Sequence, residues 1–66
     1  MSTKDRILEE ALTLFAENGY DGTGVEQIAE KVGIKAPSLY NHFKSKDEIV
    51  KAMYSFLREK AQQNRT

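Results

Sequence analysis

Residues 35–46 read KAPSLYNHFKSK: three lysines, one histidine, two aromatics, a proline and no acid. The chain around it is neutral, with ten basic and ten acidic residues. The charges are unevenly spread. Residues 1–32 carry seven acids against three basic residues, residues 33–46 carry only Lys35, Lys44 and Lys46, and the remainder is nearly balanced. A segment that meets phosphate needs local positive potential rather than a basic chain. On charge alone the segment reads first as a solvated polar loop; the chemistry it could also offer is recognition, with ammonium groups that attract phosphate.

Catalysis has little support. His42 is the single histidine and there is no cysteine. No carboxylate lies near it on its own segment, and no phosphate-cradling glycine loop is present. One histidine cannot build a structural zinc site, so neither an enzyme nor a metal or cofactor is expected. No apolar run approaches the roughly 18 residues of a membrane span, and the N-terminus has no signal-peptide core. A soluble, cytoplasmic protein is expected.

At 66 residues the chain is one domain, burying only about 60% of the surface its unfolded form exposes. Its apolar residues follow a helical period, interrupted at Gly19, Gly22, Gly24, Gly33 and Pro37. Ile7, Leu8, Ala11, Leu12 and Phe15 mark a first helix from about Thr3 to Asn18, with Ser2 or Thr3 as cap. A second helix begins at Thr23 or Gly24, where Thr23 and Glu26 have capping-box spacing, and ends at Gly33. Val25, Ile28, Ala29 and Val32 form its buried face. Pro37 suits the first turn of a third helix over about 36–43. Leu39 and Phe43 face inward there, while Pro37, Ser38, Asn41 and His42 fall on the opposite side, with Tyr40 at the margin. Ser45 and Glu48 cap a fourth helix over about 46–62. That helix has two apolar faces: Ile49, Met53 and Phe56 on one, and Val50, Tyr54, Leu57 and Ala61 on the other. A small domain needs only one, so the second faces a partner surface that these residues do not supply. The fold class is all-α, a small helical bundle of three helices plus a fourth, connecting helix.

Two short helices joined by a glycine turn have helix-turn-helix geometry, placed here at about 24–43. Ile28, Ala29, Val32, Gly33, Ile34 and Leu39 fill its apolar, small and glycine positions. His42 stands where many such motifs have an aliphatic residue, and Phe43 takes over that role. The narrower pattern F-A-x-x-G-Y-x-G-T, then IAxxVGI, then SLYNHFKSKDEI resembles the N-terminal DNA-binding domain of TetR-type transcriptional repressors, from about Arg6 to Met53. The resemblance implies that double-stranded DNA is the partner, with the third helix in the major groove. It also implies a longer, homodimeric parent on a palindromic operator, with the small-molecule effector site outside this chain. The 66 residues alone are expected to be monomeric.

Phosphate contacts position such a domain and base contacts give specificity. Thr23 and Gly24 are expected to offer backbone N–H groups and a hydroxyl to phosphate. The resemblance assigns phosphate contacts to Tyr40, His42 and Lys46. Lys35 is placed for phosphate or guanine, and Ala36, Pro37, Ser38 and Asn41 are the expected base readers. Duller roles stand beside these. Tyr40 can be half-buried core, His42 can answer the helix dipole, and Thr23, Gly24 and Ser45 are capping residues. Phe15, Phe43 and Phe56 are expected in the core. The alternative function is a helical protein-interaction module using the second face of the fourth helix, which leaves the acid-free third helix unexplained.

Overall fold

The computed structural model describes residues 2–63 and contains four helices: α1 Thr3–Asn18, α2 Val25–Val32, α3 Ala36–His42 and α4 Lys46–Gln63. The expected all-α fold is present, and no strand occurs among the described residues. No helix among them is long and apolar enough to cross a membrane.

Local chemistry sets the boundaries. Ser2 Oγ accepts from the Asp5 amide at 3.1 Å and caps α1. Gly33 ends α2 with φ of 92°, a left-handed conformation that glycine adopts without a Cβ penalty. Its N–H reaches Glu30 O, and the Ile34 N–H reaches back to Ala29 O at 3.0 Å, closing a Schellman turn. Gly22 serves a close approach: a Cβ there would run into the Asn18 carbonyl oxygen. Ser45 Oγ accepts from the Glu48 amide at 3.3 Å and caps α4. The returning half of this cap is displaced by one residue, because Glu48 Oε1 accepts from the Lys44 amide rather than from that of Ser45.

At the α2 start the capping role expected of Gly24 is present, whereas the expected Thr23–Glu26 capping box is not. Gly24, not Thr23, is the N-cap, and Gln27 rather than Glu26 bonds back to it: Gln27 Oε1 accepts from the Gly24 amide at 2.7 Å. Thr23 is not free to cap. Its side chain is buried, 1% exposed, and its hydroxyl lies 3.0 Å from Gly19 O and 3.1 Å from Leu14 O.

One core joins all four helices. Ile7, Leu8 and Ala11 from α1 meet Ile28, Ala29 and Val32 from α2, Leu39 from α3 and the adjoining Phe43, and Ile49 and Met53 from α4. α1 is the central post, with α2 and α4 packed against it, and α3 rests on α2. Ala29, almost fully buried, keeps the interhelical space small. Phe43 is core as expected, but Phe15 and Phe56 are only partly buried at its edge. The second face of α4 stays open: Tyr54 is 68% and Leu57 39% exposed.

Candidate nucleic-acid interface

α3 is a seven-residue helix held on one side only. Leu39 is fully buried and Phe43, its C-cap, nearly so. With those two fixed, the 100° step between residues turns Pro37, Ser38, Asn41 and His42 outward, and all four are exposed. Lys35, the N-cap, is exposed as well, and its carbonyl accepts from the Ser38 and Leu39 amides. Pro37 lies in the first turn, where a missing N–H costs nothing. Ala36 is half-buried, with part of its surface open. Tyr40 is 41% exposed. From Gly33 to Lys46 no carboxylate interrupts this surface.

The remaining expected contacts are arranged differently. The Thr23 hydroxyl is turned inward, and its N–H is directed to Tyr20 O at 3.4 Å. Thr23 therefore anchors the loop between α1 and α2 instead of presenting a hydroxyl to solvent. The Gly24 amide is exposed but engaged by Gln27, itself an exposed side chain. Lys46 is half-buried, and its ammonium donates to Tyr20 O at 2.7 Å and to Thr23 O at 2.8 Å. It also lies 4.2 Å from the centre of the Tyr20 ring, a cation–π distance.

These contacts form a clasp that sequence reasoning missed. The Tyr20 hydroxyl donates to Asp47 Oδ1, and its ring packs obliquely on Phe15 at 5.7 Å between centroids. The hydrogen bond to Asp47 raises the Tyr20 pKa above the usual phenol value, with smaller contributions from burial and from the charges of Asp47 and Asp21. The start of α4 is thereby tied to the loop that positions the start of α2. The available signal was the pairing of GYDGT with SKD, complementary in hydrogen bonding but more than twenty residues apart.

Lys46→Ala is expected to lower folding stability by about 1–2 kcal/mol, since it removes charge-assisted hydrogen bonds from a partly screened site. Urea denaturation of both proteins checks this. An unchanged midpoint would mean that the ammonium does not hold the loop.

A short helix pair with a glycine turn, seated on a third helix and with an acid-free outer face on its second member, defines a helix-turn-helix domain. Residues 7–53 match the bacterial regulatory proteins of the tetR family, and the chain belongs to that family. Among curated proteins it is similar to the biofilm operon icaADBC HTH-type negative transcriptional regulator IcaR of Staphylococcus aureus strain Newman, at 50% identity over 82% of this chain and 31% of that protein. The IcaR of Staphylococcus epidermidis strain ATCC 35984 is 52% identical over 70% of this chain and 25% of that protein. The chain thus spans about a third or less of the length of these relatives. No solved structure gives a significant match.

Proposed function

We propose that these residues are the reading head of a transcriptional repressor that binds double-stranded DNA with α3 in the major groove. The observation that carries this reading is the exposed, acid-free face of Pro37, Ser38, Asn41 and His42 on a helix fixed from behind by Leu39 and Phe43. Asn41 and Ser38 read base edges, Pro37 and the exposed edge of Ala36 meet thymine methyls, and Lys35 reaches phosphate or guanine. Tyr40 and His42 contact phosphate from the margins of the same face. Gly24 offers its amide at the start of α2 when Gln27 moves aside. Thr23 and Lys46 hold that start in place, with the remaining Lys46 N–H available to a phosphate oxygen.

The negative regulation named for the staphylococcal relatives supports repression. In this reading the complete protein is a cytoplasmic homodimer on a palindromic operator and is not an enzyme. Its dimer contacts and effector site lie outside the 66 residues, which alone are monomeric. The open α4 face around Tyr54 and Leu57 is where the rest of the longer protein packs. That assignment leaves the interaction-module alternative without an observation of its own.

The test is equilibrium titration of a labelled duplex at several salt concentrations. Affinity should fall linearly with salt on logarithmic axes, as counterions are released. Absence of binding at low salt, or binding indifferent to salt, would remove the proposal.

A further inference from the structure

We infer that Lys44 is a phosphate contact of this domain, acting with Lys35 from opposite ends of α3; the inference rests on the DNA-binding reading above. Three lysines lie in the acid-free segment, and the structure separates them. An ammonium has three N–H donors, and Lys46 commits two of them to carbonyls of its own chain. Lys35 and Lys44 are exposed, and among the described residues neither ammonium has a hydrogen-bond, ion-pair or aromatic partner. Their charges are the ones still available to an anion.

Their placement fits a duplex. Lys35 is the N-cap of α3, and Lys44 follows its C-cap, Phe43. Seven helical residues rise about 10 Å, close to the roughly 12 Å width of the major groove. The main-chain origins of the two lysines therefore flank the reading face, one at each end of α3.

The base of the Lys44 side chain is fixed. Phe43 before it is buried, with its amide bonded to Leu39 O at 2.9 Å. The Lys44 amide is itself bonded to Glu48 Oε1 at 3.1 Å. An anchored main chain carrying a free cation loses little further backbone freedom on meeting phosphate. The Glu48 carboxylate is meanwhile engaged in capping α4.

The experiment titrates a labelled random-sequence duplex with the wild-type chain, Lys44→Ala and Lys44→Arg over a salt series, with urea denaturation of each. Wild type should bind more weakly as salt rises. Lys44→Ala should make the logarithmic salt slope shallower by about one unit at an unchanged denaturation midpoint, and Lys44→Arg should keep the full slope. If wild type binds but Lys44→Ala retains the full slope, the inference about Lys44 is overturned while the DNA reading stands. A weakening that only tracks a lowered denaturation midpoint would make Lys44 structural and overturn it too. If wild type fails to bind at low salt, the DNA reading falls and takes the inference with it.

Discussion

Leu39→Ala is expected to remove about 2–5 kcal/mol of folding stability, the usual range for emptying a fully buried leucine site. Leu39 has no exposed surface and joins α3 to the core formed by α1, α2 and α4. Native domains retain roughly 0.05–0.15 kcal/mol per residue, so a chain of 66 residues has little to spare. The substitution should leave a large fraction of molecules unfolded at room temperature. Far-UV circular dichroism against urea reads this directly. A loss under about 1 kcal/mol would mean that α3 is not seated through Leu39. Phe15 is a useful contrast: it lies half-buried at the core edge, so its truncation should cost less than that of Leu39.

Asn41→Ala should behave in the opposite way. The side chain is exposed and no fold contact depends on it, so stability should stay within about 0.5 kcal/mol of wild type. DNA binding should weaken by about 1–3 kcal/mol at one base position only, with the salt slope retained. A library of half-sites randomised at each position separates the two effects. Because a single head lacks the gain of two linked half-sites, the titrations need low salt or a fused dimerisation module. Equal weakening on every sequence would show that Asn41 does not read a base and that α3 docks in another orientation.

The contrast between these substitutions rests on a pattern already visible in the sequence. Leu39 and Phe43, four residues apart, specify which side of α3 is buried, and Asn41 then has to point away. Helix boundaries were legible for the same reason: Ser2, Gly33 and Ser45 act through neighbours three to five residues distant, within reach of spacing rules. The positions of Thr23 and Lys46 were not legible. A threonine before a helix is ordinarily a cap, but the hydroxyl here serves carbonyls at the end of α1, which only the fold of the intervening loop brings near. Lys46 likewise spends its charge on a loop 23 to 26 residues earlier, where no periodicity points. That Gly24 rather than Thr23 caps α2 follows from the same inward turn.

The Lys46 clasp has a kinetic consequence. By joining residue 46 to residues 20 and 23, it converts the whole helix-turn-helix into a non-covalent ring, with α2 and α3 inside the circuit. Closing such a ring in a flexible chain costs entropy that grows with the logarithm of its length, so its ends meet cheaply only after α2 and α3 have docked on α1. Contacts that form late in folding protect against unfolding without speeding refolding. Stopped-flow measurements on Lys46→Ala should therefore find the lost stability almost wholly in a faster unfolding rate, with refolding close to wild type; slowed refolding would place the clasp in the folding nucleus instead. In this picture Lys46 sets how long the reading head stays assembled once it has formed.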